Sequence, residues 1–132
     1  MNWKAKGTNA ERELISFFWK TEKWAAIRAA GSGCSRFPSP DILAGNSLRR
    51  LSIECKTCQN DKIYILKKDI EQLENFSRMF GAEAWIGIRF SKKEWYFLSL
   101  EDVKETHKNF TISTDLAKRK GLLFEEMLGN FE

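Results

Sequence analysis

The fold is decided by Pro40-Asp41-Ile42-Leu43-Ala44-Gly45-Asn46-Ser47-Leu48-Arg49-Arg50-Leu51-Ser52-Ile53-Glu54-Cys55-Lys56-Thr57. Asp41 to Ala44 reads as a short strand, Gly45-Asn46 as a turn and Leu51 to Thr57 as a second strand, so the stretch predicts a hairpin. Side chains alternate along a strand, which puts Glu54 and Lys56 on one face and Cys55 on the other. With Asp41 opening the neighbouring strand, its carboxylate can converge with that of Glu54. The hairpin then presents two acids and a lysine at one edge.

Upstream, Thr8-Asn9-Ala10-Glu11 fits a capping box, and Ala10, Leu14, Phe17 and Phe18 recur at helical spacing. A helix is predicted from Asn9 to Lys20, followed by a strand from Trp24 to Ala29. Gly31 to Pro40 is rich in turn residues and reads as a loop. Downstream, Lys62 to Ile65 reads as a short extended segment. Lys68 to Phe80 reads as a helix stopped by Gly81. Glu83 to Phe90 and Trp95 to Leu100 read as strands, Phe110 to Ser113 as a last short one and Leu122 to Leu128 as a helix. This order predicts an α/β fold, a central mixed β-sheet flanked by α-helices. The length suits one domain with one core over residues 1–132.

The hydrophobic fraction is 42%, as in ordinary globular proteins, and argues against disorder. Neither a signal segment nor an apolar run of about 18 residues is found, so no membrane association and a cytoplasmic location are expected. The net charge of +4 permits nucleic-acid binding without requiring it. Lys4, Lys6, Arg12, Arg28 and Arg36 crowd the first third, and Lys118-Arg119-Lys120 forms a second basic cluster; each is either a solvated face or a phosphate-binding one. Three cysteines without a secretion signal argue against a disulfide framework. Cys55-Lys56-Thr57-Cys58 has a zinc or redox spacing, but an extended chain points the two sulfurs to opposite faces. Only Cys34 and His107 could add ligands, at unsupportive spacing. As His107 is the only histidine, histidine-based hydrolysis has no basis here.

Two close carboxylates repel each other unless a cation lies between them. Mg²⁺ takes oxygen ligands, keeps several waters and activates water for attack on a phosphodiester. Lys56, beside acids, favours its charged form and suits a cationic clamp on the phosphate or nucleophile better than a general base. The competing reading of Glu-x-Lys is a surface ion pair worth little.

Pro40-Asp41 with Glu54-Cys55-Lys56 matches the signature of the PD-(D/E)xK nuclease superfamily. More of the chain resembles one branch, the archaeal Holliday-junction resolvases. Lys6-Gly7-x-x-Ala10-Glu11-Arg12-Glu13-Leu14 is similar to that family's opening motif. Arg28-Ala29-Ala30-Gly31-Ser32-Gly33 and Ser35-Arg36-x-x-x-Pro40-Asp41-Ile42 are similar to its second, and Phe76-Ser77-Arg78-x-Phe80-Gly81 to a later segment. The likeness covers roughly the first 100 residues and is weaker beyond. It implies a restriction-endonuclease-like fold, a homodimer, and paired symmetric cuts in four-way junction DNA with Mg²⁺ as cofactor. Glu11, Asp41 and Glu54 would be the acidic metal-site residues and the Cys55 carbonyl a backbone ligand. Lys56 would be the catalytic lysine. Arg12, Arg28 and Ser32 would lie beside the scissile phosphate, Ser32 within the catalytic set, with Lys6 and Arg36 as further DNA contacts. For Glu11 the local sequence favours the cap on the Thr8 amide, and the resemblance reverses that order. Phe76 and Phe80, four apart on a helix, are either core or dimer interface. The alternatives are a nuclease of the same superfamily with another DNA substrate, and a DNA-binding module without catalysis. Clustered carboxylates, which repel phosphate, count against the second.

Overall fold

The computed structural model describes residues 3–29, 37–90, 94–104 and 111–129, with side chains from residue 9 onward in the first of these segments. Five strands form one sheet: β1 (Ala25–Arg28), β2 (Ile42–Gly45), β3 (Arg50–Cys58), β5 (Glu83–Phe90) and β6 (Trp95–Ser99), in the order β1-β2-β3-β5-β6. β3 and β5 run parallel and the other pairs antiparallel, so the sheet is mixed. β4 (Lys62–Tyr64) pairs with β7 (Thr111–Ser113) in a separate ribbon.

Each face of the sheet has its own core. Ala10, Leu14 and Phe18 of α1 (Trp3–Lys20) pack with Ile42, Leu51, Ile53 and Phe97 on one side. Ile70 and Leu73 of α2 (Lys67–Phe80) pack with Ile86, Ile88 and Leu98 on the other. The β2–β3 turn is built as expected, because Asn46 Oδ1 accepts from the Leu48 and Arg49 amides at 2.8 and 2.7 Å. Arg49 then ties the turn down. Its guanidinium pairs with Glu83 at 2.7 Å and donates to the Leu128 carbonyl at 3.0 Å, at the end of α5 (Phe124–Leu128). Gly81 ends α2 with φ 78°, a left-handed conformation that a side chain would strain.

Several expectations are corrected. α1 begins at Trp3, so Thr8 lies inside the helix and not at its start; Trp3 to Lys6 are adequate helix formers, and continuing α1 outweighs a local cap. The strand expected over Trp24 to Ala29 is limited to Ala25–Arg28. The strand expected to reach Leu100 ends at Ser99, where the chain enters α3 (Leu100–Lys104). Lys118-Arg119-Lys120 is the last turn of α4 (Thr114–Lys120), where cations suit the carbonyl end of a helix. Leu122 makes a single bridge to Phe97, and α5 starts at Phe124. Among the described residues, no helix is long and apolar enough to cross a membrane.

Candidate active site

The register of the hairpin builds the acidic pair. Ile42 of β2 lies opposite Ile53 of β3. One step further, where β2 has ended, Asp41 stands across from Glu54. Residues opposite each other in an antiparallel pair share a face, with Cβ atoms about 4.5–5.5 Å apart. The two carboxyl groups meet through a side-chain hydrogen bond. Asp41 also does the work of the missing strand residue, since its Oδ2 accepts from the Cys55 amide at 2.8 Å. The N–H and C=O of one strand residue point the same way. The Cys55 carbonyl therefore faces the side of the strand on which Asp41 sits.

Burial first, and then the neighbouring carboxylate, push Glu54 up to about 8. Asp41 is raised for the same leading reason, against which the Cys55 amide works. The pair thus holds a proton where isolated carboxyls would have lost theirs, because burial takes water from the charged form and the neighbouring carboxylate adds to the cost. Desolvation and the surrounding acids also push the Cys55 thiol well up, so it stays neutral. Lys56 Nζ is 3.8 Å from Glu54 Oε2 and 3.8 Å from Asp69 Oδ2. Pro38, Ser39, Pro40, Glu54, Asp69 and Gln72 line a cleft between the segment before β2 and the start of α2.

Glu11 approaches from the α1 side. Its Oε1 accepts from Arg28 Nε at 2.7 Å, and its charge reaches both Asp41 and Cys55. The expected bond to the Thr8 amide is therefore replaced by a tie to β1. Arg12 is exposed on α1. Ser32, Arg36, Cys34 and His107 lie outside the described residues, as does the side chain of Lys6. Cys55 and Cys58 belong to opposite cores, as the strand alternation requires, which separates the two sulfurs of the Cys-x-x-Cys. Phe76 and Phe80 stack at 5.3 Å on α2, Phe76 half-buried and Phe80 49% exposed, so Phe80 is not a core residue. Two features were not read from the sequence. Asp69 meets Lys56, and Glu13 accepts from Arg89 at 3.0 Å and from the Trp95 indole at 2.9 Å, fixing α1 to β5 and β6. Neither has a local sequence signal, because each partner comes from a distant segment.

Among the described residues, no three His, Cys, Asp or Glu side chains form a ready-made cation cage. The donor set nevertheless fits Mg²⁺, which is usually held by one or two carboxylates plus water and substrate oxygens. Asp41, Glu54 and the Cys55 carbonyl supply hard oxygens, and a cation would favour the charged carboxylates that burial and mutual repulsion disfavour.

Residues 2–132 match the model of the archaeal Holliday junction resolvase (Hjc) family, beyond the first 100 residues as well as within them. The chain is 41% identical to the crossover junction endodeoxyribonuclease Hjc of Archaeoglobus fulgidus, over 96% of this chain and 97% of that one. It is 36% identical to the Methanocaldococcus jannaschii Hjc, covering 94% and 87% of the two chains. It also superposes on the solved structure of Archaeoglobus fulgidus Hjc with a TM-score of 0.83 at 40% identity, covering 92% of this chain and 98% of that one. The five-stranded mixed sheet with helices on both faces is the restriction-endonuclease-like arrangement of that fold. Similarity over nearly the whole chain, in sequence and in backbone, places this protein in the archaeal Holliday junction resolvase family.

Proposed function

We propose that the chain is an Mg²⁺-dependent endonuclease that resolves four-way DNA junctions by paired symmetric cuts. The observation that carries this reading is the Asp41–Glu54 pair, which shares a hydrogen bond beside the Cys55 backbone and the Lys56 ammonium. Asp41, Glu54 and the Cys55 carbonyl are the residues to hold the cation, with Glu11 lending negative charge from α1. When bound, Mg²⁺ supplies water activation near neutral pH and stabilises charge at the attacked phosphate. Lys56 places a positive charge beside the phosphate as its negative charge builds. Arg28, oriented by Glu11, together with Arg12, Lys6, Arg36 and Ser32, positions the DNA backbone. The protein works in the cytoplasm as one nuclease domain over residues 1–132.

Labelled four-way, three-way and linear DNA, each with Mg²⁺ or with a chelator, tests the reading. Cleavage is expected only with the metal and chiefly of the four-way substrate. Equal cutting of all three, or cutting in the chelator, would overturn it.

A four-way junction has near-twofold symmetry, and one chain carries one Asp41–Glu54–Lys56 group. Paired cuts call for two chains, most simply a twofold dimer with roughly 800 Å² buried per partner. The exposed apolar side of α2, with Phe80 49% and Met79 74% accessible and Phe76 stacked on Phe80, supports that patch. Phe80→Ala is expected to shift sedimentation towards monomer with little change in melting temperature. Paired cuts should then become single nicks at low protein concentration. A dimer of unchanged strength would remove Phe80 from the interface.

A further inference from the structure

Lys56 is held by two acids, and only one of them belongs to the signature. Its ammonium lies 3.8 Å from Glu54 and 3.8 Å from Asp69, which stands in the first turn of α2, across the cleft from Pro38-Ser39-Pro40. Both distances exceed the 2.7–2.9 Å or so of a charge-assisted hydrogen bond. The ammonium is therefore shared between the two carboxylates and locked to neither. A lysine side chain is flexible and must be restrained if its charge is to act at one place. Glu54 is a poor restraint on its own, because the same carboxylate faces Asp41 and the cation position. Asp69 is free of that conflict: it contacts the lysine from a rigid helix, and its side chain is 27% exposed.

We propose that Asp69 is a positioning residue for the cleavage reaction, holding the Lys56 ammonium against the cleft while Glu54 serves the metal; the inference rests on the nuclease function proposed above. The competing role is local, since an acid in the first turn of a helix favours its dipole. A thermodynamic cycle separates the two. Single-turnover cleavage at saturating enzyme is measured for the wild type, Asp69→Asn, Lys56→Ala and the double variant, with junction affinity and melting temperature recorded for each. The substrate is whichever DNA the wild type cuts. Asp69→Asn is expected to slow cleavage about 10–100-fold, as loss of a supporting residue commonly does. Junction affinity should change less than about threefold. In the Lys56→Ala background the same change should cost nothing further. Asp69→Glu, which retains the charge, should recover most of the rate, and it keeps the test decisive if the asparagine variant folds poorly. Wild-type speed in Asp69→Asn, or an equal loss with and without Lys56, would overturn the positioning role alone. A wild type that cuts no DNA would overturn the nuclease reading and this inference with it.

Discussion

Asp41→Asn and Glu54→Gln are each expected to lower junction cleavage by at least about 10²–10³-fold at saturating Mg²⁺, the range seen when one group serving transition-state charge is lost. Both changes keep the shape and remove a charge. In Asp41→Asn the amide oxygen can still accept from the Cys55 N–H, so the end of β2 stays closed against β3. In Glu54→Gln the amide can still donate to Asp41, in place of the shared proton. The fold therefore has no reason to fail, and the loss falls on the cation and the reaction. Junction affinity without metal near neutral pH should be unchanged in Glu54→Gln, whose carboxyl already holds a proton there, and unchanged or higher in Asp41→Asn, where negative charge facing phosphate is reduced. Cleavage kinetics beside gel-shift or anisotropy binding checks this. A variant that cuts at wild-type rate would take its residue out of the site.

The second large effect runs in the opposite direction and is read as stability. In metal-free wild type, Glu54 titrates near 8, against an ordinary value of 4.5. Between these pH values the folded chain binds a proton that the unfolded chain has released. Stability is therefore fullest below about pH 4.5 as far as this group is concerned, and it is lost as pH rises through about 8. Glutamine cannot ionise, so Glu54→Gln should escape the loss. At pH 9 in a chelator the variant is expected to melt above the wild type by on the order of 5–10 °C, corresponding to a few kcal/mol. Near pH 4.5 the two should melt together. Mg²⁺ should raise the wild type more than the variant, because a cation that binds only the folded site adds stability by mass action. Melting curves across pH, with and without metal, decide it; parallel curves would mean that the buried pair carries no such burden.

The hairpin was legible because every cue in it is local. Asn46 closes the turn by its own side chain, and alternation along β3 separates Ile53 and Cys55 from Glu54 and Lys56. The stop of α2 at Gly81 and the span of β5 were legible for the same reason. The start of α1 is not legible locally, because a plausible cap at Thr8 is overruled by helix continuing on both sides of it. α4 carries a local signal at its start, where Ser113 caps it, accepting from the Leu116 amide at 3.0 Å. The β4–β7 ribbon joins segments about fifty residues apart and has no local signature. In the site, the acids and the lysine stood in the sequence as a spacing. Asp69 did not, because its place beside Lys56 depends on how α2 lies over the sheet.

β3 is the middle strand of the five, with β2 along one edge and β5 along the other. Amides in such a strand exchange with solvent only when most of the molecule opens, whereas helix ends and outer strands open alone. Glu54, Cys55 and Lys56 are thus mounted on the last part of the protein to loosen. Heating should fray the periphery first, so Glu54 and Lys56 should keep their places on β3 almost to the temperature at which the sheet itself comes apart.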